Sequence, residues 1–248
     1  MKPAPVIAID GPAGAGKGSL AFGLSRALGG WSVLDSGVLY RCLGWAAIRS
    51  GTAFDNAEGL ARLVEGFDSL EFRPDASDRR VHTWLGEADI SDQLRVEEVS
   101  RAASQVARHR PVRSVLLRFQ HSLRRPPGLI ADGRDMGTRV FPDALLKVFL
   151  TADARERAKR RYIQLHGDFD LNNREAPAII ANLQKGIAER DRLDRQRQTD
   201  PLSPAPDALQ LDSTGLSEQD VLSKVLNWAA ECGLNVKGSR GRVESAHE

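Results

Sequence analysis

Two rhythms of apolar residues alternate along this chain. Short runs with little or no polar interruption cover Val6 to Asp10, Ser32 to Asp35, Leu129 to Asp132, Leu145 to Leu150 and Ala208 to Leu211. Between them, apolar residues recur every three or four positions, the spacing of helices with one buried face. That spacing predicts helices from Lys17 to about Leu28, Ser36 to about Ser50, Asn56 to about Phe67, Glu97 to Arg108, Val112 to Leu123, Ala154 to Leu165, Ala178 to Arg195 and Ser217 to Cys232. Gly29-Gly30, Gly51, Pro126-Pro127-Gly128 and Gly233 supply the stops. Runs that are apolar throughout suit strands covered on both faces, so the five short runs predict a parallel sheet flanked by helices. One region breaks the rule. Leu70 to Arg73 and Val81 to Leu85 alternate polar and apolar, and Ala88 to Ile90 follows a Gly86-Glu87 turn. This predicts a small antiparallel meander inserted among the helices.

Composition changes little. The 248 residues are 41% hydrophobic and 27% charged with a net charge of +2, as for an ordinary soluble globule. The balance gives no reason to expect a nucleic-acid polymer as partner, and no run is long enough to span a membrane. The first strand begins close to Met1, so no signal peptide is expected and the cytoplasm is the expected compartment. Cys42 and Cys232 lie far apart without metal-ligand spacing and read as reduced thiols. Arginine makes up 28 of the 35 basic residues. That bias suits phosphate handling, and it is equally what a GC-rich genome produces.

Candidate chemistry starts where the first strand ends. Gly11-Pro12-Ala13-Gly14-Ala15-Gly16-Lys17-Gly18-Ser19 follows an apolar strand and leads into a helix, the layout of a P-loop. Glycines let backbone N–H groups crowd around a phosphate, the helix offers its positive end, and Lys17 adds a point charge. Ser19 is placed to bind a phosphate oxygen or Mg²⁺. Gly18 stands where a hydroxyl residue usually follows the lysine.

A P-loop says only that phosphates are bound; four further stretches speak for the acceptor. Leu34-Asp35-Ser36-Gly37-Val38-Leu39-Tyr40-Arg41 and Ala131-Asp132-Gly133-Arg134-Asp135-Met136-Gly137-Thr138 both lie at strand ends. Ligands of such sheets bind beyond the carboxyl ends of the strands. Arg157 and Arg160-Arg161 fall on one helix, and Glu189 to Arg197 reads ERDRLDRQR on another. In order and spacing, GPAGAGKGS, LDSGVLYR, IADGRDMGT, FPDA, ERDRLDR and LDST resemble the bacterial cytidylate kinases, across residues 5 to 230. The resemblance accounts for Gly18, since that group has Gly-Lys-Gly followed by Thr or Ser.

The resemblance implies a P-loop kinase fold with a five-stranded parallel sheet, an inserted acceptor-binding lobe carrying a small antiparallel sheet, and a helical LID. Its single kinase domain would have a CORE over about 1–35, 110–153 and 198–233. The acceptor lobe would cover about 36–109 with the meander at 66–95, the LID about 154–197, and 234–248 would be a disordered tail. The implied reaction moves the γ-phosphoryl group of ATP to CMP or dCMP with Mg²⁺, in a monomer. Carried over by position, Arg41, Arg134 and Arg197 hold the acceptor phosphate, while Ser104, Arg113 and Asp135 read the cytosine edge. Arg190 and Asp194 contact the sugar, and Asp35 and Ser36 line the acceptor site. Lys17 grips the donor, and Arg157 and Arg161 close over the transferring group. His166 to Pro177, with Asp168 and Asp170, is longer than the usual LID segment.

Physical sense supports these roles. Phosphoryl transfer needs alignment of two anions and cancellation of charge on the moving group. Cytosine presents an amino donor where uracil has a carbonyl, so a carboxylate such as Asp135 selects it. The alternatives are kinases for shikimate, dephospho-coenzyme A or another nucleotide, a GTPase-like switch, and an inactive regulator. Asp135 with Arg113 argues against the first group, no Asn-Lys-x-Asp guanine reader is present for the second, and an intact Lys17 opposes the third.

Overall fold

The computed structural model describes residues 3–167, 173–196 and 201–235. Strands β1 (Val6–Asp10), β2 (Ser32–Asp35), β6 (Leu129–Gly133), β7 (Leu146–Thr151) and β8 (Leu209–Asp212) form a parallel sheet in the order β2-β6-β1-β7-β8. Strand β1 is central and buried throughout. Side chains alternate across it: Val6 and Ala8 join the core on one face, Ile7 and Ile9 the core on the other. The second face is closed by α1 (Lys17–Ala27) and α8 (Glu218–Glu231). The first is closed by α2 (Ser36–Ser50) and α5 (Arg110–Ser122). Fully burying one such aliphatic side chain contributes about 1.5–3 kcal/mol, so this double coverage fixes the sheet and with it the strand ends that carry the site.

The inserted lobe is α2, α3 (Ala57–Leu63), the meander and α4 (Glu97–Val106). Its strands β3 (Leu70–Asp75), β4 (Arg80–Leu85) and β5 (Ala88–Asp89) pair antiparallel in that order. Pro74 lies within β3, which an edge strand tolerates because one side needs no ladder donor. His82 is held between Asp89 (2.6 Å) and Asp78 (2.9 Å), tying β4 to β5 and to the β3–β4 turn. Both carboxylates push its pKa up.

Boundaries moved from the sequence expectation at two prolines. Helix α5 starts at Arg110 and α7 (Ala176–Arg195) at Ala176, each with proline in its first turn, where its missing N–H costs nothing. Helix α6 (Ala154–His166) is capped by Asp153, which accepts from the amides of Arg155 and Glu156. After β6 the chain makes one widened turn, Met136–Val140, that apolar periodicity does not signal. Arg197, Asp168, Asp170 and the expected tail beyond residue 235 lie outside the described residues.

Candidate active site

The strand order places the ends of β1, β2 and β6 side by side, so the loops after them share one cavity of about 1430 Å³. That exceeds the usual few hundred to a thousand cubic ångströms of a single small-molecule pocket and suits two nucleotides together. Along one wall runs the P-loop. Gly11 has φ +150°, and a Cβ there would lie 2.0 Å from the carbonyl oxygen of Leu150 on β7. Only glycine lets the loop leave the sheet at that point. Ala13 to Leu20 then line the cavity, while Gly11 and Pro12 sit behind it. The first amides of α1 have no carbonyl one turn earlier to bond, which leaves them for an anion.

Lys17 is buried, and its Nζ donates to the Pro12 carbonyl at 3.1 Å and stands 3.6 Å from Asp132 Oδ1. Asp10, at the end of β1, accepts from the amides of Met136 and Gly137 at 2.8 Å each. It thereby ties the P-loop strand to the turn after Arg134 and Asp135. Burial pushes Asp10 up to about 6, against the two amide donors. Burial pushes Asp132 up to about 7; Lys17 opposes this while nearby Asp35 and Asp10 add to it. Folded-state values above the ~3.9 of a free aspartate mean that both groups take up protons on folding. Their contribution to stability is therefore present at low pH and declines as pH rises from about 4 to about 7. Replacing Asp132 with asparagine should flatten that part of the Tm-versus-pH curve and raise Tm at pH 8, measured without divalent metal. A lower Tm at pH 8 would mean that pairing with Lys17 outweighs burial.

Across the cavity stand the acceptor candidates. Asp35 caps α2 by accepting from Val38 N at 2.9 Å, which fixes Ser36 and Arg41 on the first turns of that helix. Arg134 Nε donates to Asp194 Oδ2 at 2.5 Å, joining the loop after β6 to α7. Arg113 of α5 lies 4.0 Å from Asp135. Ser104 of α4 donates to the Ser100 carbonyl at 3.1 Å, and Arg190 projects from α7; both line the cavity. Asp35, Ser36, Arg41, Ser104, Arg113, Arg134, Asp135, Arg190 and Asp194 thus meet Gly14 to Ser19 around one space.

Arg157 and Arg161 do not join them. Arg157 is buried behind the P-loop, where both its terminal nitrogens bond Asp191, at 3.0 and 2.5 Å. Arg161 is exposed and reaches Gln164 at 3.4 Å. The reason is helical phase: the cavity side of α6 carries Glu156, Arg160, Ile163 and Gln164, and the two expected arginines fall off that side. Arg160 lies on the cavity side, donating to Ser213 Oγ (3.0 Å), the Ser213 carbonyl (2.7 Å) and the Ala15 carbonyl of the P-loop (3.4 Å). Asp10 and Asp132 also serve the site, though neither is among the residues expected from the sequence. A carboxylate ending an otherwise apolar strand was the signal available for both. Among the described residues, Arg108, Arg110 and Arg139 complete a lining of eight arginines and Lys17 against six carboxylates, a positive field suited to polyanions.

A doubly covered parallel sheet, a glycine loop feeding a helix, and a second cluster of arginines facing it across one cavity define a P-loop phosphotransferase. The family model described as cytidylate kinase matches residues 7–231, and the chain belongs to that family. It is 48% identical over 234 residues to the cytidylate kinase of Stutzerimonas stutzeri, covering 94% of this chain and 99% of that protein. To a cytidylate kinase of Pseudomonas fluorescens it is 48% identical over 224 residues, 90% and 94% of the two chains. To that of Pseudomonas aeruginosa it is 46% identical over 232 residues, 94% and 98%.

Proposed function

We propose that this protein transfers the γ-phosphoryl group of ATP to CMP or dCMP, giving CDP or dCDP and ADP. The carrying observation is one cavity in which the P-loop and Lys17 face Arg41, Arg134 and the Arg113–Asp135 pair. In this reading the donor triphosphate lies along the P-loop amides and Lys17. Arg41 and Arg134 grip the acceptor phosphate with forked donors, joined by Arg197. Asp135, oriented by Arg113, accepts from the cytosine amino group, with Ser104 beside it. Arg190 and Asp194 bind the sugar. Arg160 takes the place at the donor that Arg157 and Arg161 were expected to fill. The acceptor lobe is 36–109, the LID is built on α6 and α7, and the remaining elements form the CORE.

Mg²⁺ fits the residues present. Ser19 and Asp132 both line the cavity and offer hard oxygen donors. The ion would be held there, and when bound it neutralises charge on the donor phosphates. The chain's own groups align the two substrates and exclude water from between them. A monomer is the form this reading takes, because residues of one chain line both halves of the cavity. No described helix is long and apolar enough to cross a bilayer. A cytoplasmic location agrees with the two free cysteines, of which Cys232 is exposed.

Incubation with γ-labelled ATP, Mg²⁺ and CMP should yield labelled CDP; label found only in inorganic phosphate would reduce the protein to an ATPase. Asp135→Ala should erode preference for CMP over UMP by tenfold or more, about 1.4 kcal/mol, because the buried amino group loses its acceptor. Unchanged preference, read as the ratio of kcat/KM values, would remove Asp135 from base reading.

A further inference from the structure

Helix α7 carries two buried carboxylates one turn apart, one fastened to an arginine that lines the cavity and the other to an arginine buried behind the P-loop. Asp194 holds Arg134 of the acceptor loop, and Asp191 holds Arg157 of α6. The i, i+3 spacing puts both on one helical face. Arg157 makes two more bonds: Nε to the Ala152 carbonyl at 2.8 Å, and a terminal nitrogen to the Ala13 carbonyl in the P-loop at 3.1 Å. Arg157 and Asp191 are 4% and 6% exposed, so water competes little for this pair. Helix α6 also presses on the loop directly, since a Cβ on Gly14 would meet Arg157 Cβ at 3.3 Å.

We propose that Asp191 is a positioning residue of the phosphoryl-transfer reaction, setting the P-loop backbone through Arg157. The peptide between Ala13 and Gly14 is a rigid plane with its C=O and N–H pointing in opposite directions. Arg157 holds the carbonyl end on the side away from the cavity. The Gly14 N–H is thereby turned toward the cavity, where the donor phosphates are read to lie. Asp191 fixes the plane of the guanidinium by a two-pronged bond, and the same turn of α7 fixes Arg134 through Asp194. One helical turn therefore sets donor and acceptor groups in register. This rests on the proposed reaction, and its test separates the two.

The test compares the full-length protein with Asp191→Asn, which keeps the shape and removes the charge, and with Arg157→Lys, which keeps the charge and removes the fork. Ala181→Gly loosens the exposed side of α7 away from the pair and serves as a stability control. Calorimetric binding of Mg·ATP alone is measured beside steady-state kinetics, below the unfolding temperature of every variant. Both pair variants should bind Mg·ATP at least tenfold more weakly and lose at least tenfold in kcat/KM for ATP. CMP binding measured alone should stay within threefold, and Ala181→Gly should match the parent in both substrates. Equal losses for ATP and CMP, or parent values in a folded Arg157→Lys, would overturn the proposal. A parent protein that binds Mg·ATP but phosphorylates no cytidine nucleotide would sink the proposed reaction instead, leaving the binding comparison intact.

Discussion

Replacing Lys17 with alanine is expected to lower kcat by about a thousandfold or more, about 4 kcal/mol of transition-state stabilisation, while the fold persists. The ammonium group is the cation of the P-loop itself, held between the Pro12 carbonyl and Asp132 in a buried position. At such a site charge stabilisation is worth far more than in water. The fold survives for a specific reason. Asp132, already pushed up to about 7, can take a proton when its counter-charge goes, so no bare carboxylate is left buried. Lys17→Arg should not rescue, because a planar guanidinium cannot reproduce a compact ammonium in a site shaped around it. Circular dichroism and Tm check the fold, and steady-state kinetics the rate. Retention of more than a tenth of the activity would remove Lys17 from the chemistry.

Arg134→Ala should cost about a hundredfold in kcat/KM for the acceptor, about 3 kcal/mol, and also a few kcal/mol of stability. The second loss follows from Asp194, whose carboxylate is almost wholly buried and bonded to the Arg134 side chain. Removing one member of such a pair leaves an uncompensated charge. The double variant Arg134→Ala with Asp194→Asn should therefore regain much of the stability and none of the activity. Recovery of both would make Arg134 a structural residue, and a loss below tenfold would make it peripheral to transfer.

Much of this was legible in the sequence because the signals are local. An apolar strand breaking into Gly11 to Ser19 fixes its own geometry, and strand ends Asp35 and Asp132 bring their loops to one edge by sheet topology alone. The meander announced itself by a switch from helical to alternating periodicity. What stayed hidden depends on phase and partnership. Arg157, Arg160 and Arg161 are equivalent as letters, and only the rotation of α6 against the P-loop decides that Arg160 faces the cavity while Arg157 is buried. Asp191 sits in a run of alternating charges that reads as a solvated helix face, yet it is buried because α6 supplies its counter-ion. Asp10 looked like the end of a strand and proved to hold the turn after Arg134. Long-range pairs of this kind leave no periodic trace.

The most direct test of cytidine-nucleotide phosphorylation is ATP consumption with Mg²⁺ against CMP, dCMP, UMP, AMP, GMP, shikimate and dephospho-coenzyme A, each in turn. Turnover should be led by CMP and dCMP, with UMP well behind and the remaining acceptors near background. Turnover led by any non-cytidine acceptor would contradict the roles given to Asp135 and Arg113, and absence of turnover with every acceptor would contradict the enzyme itself.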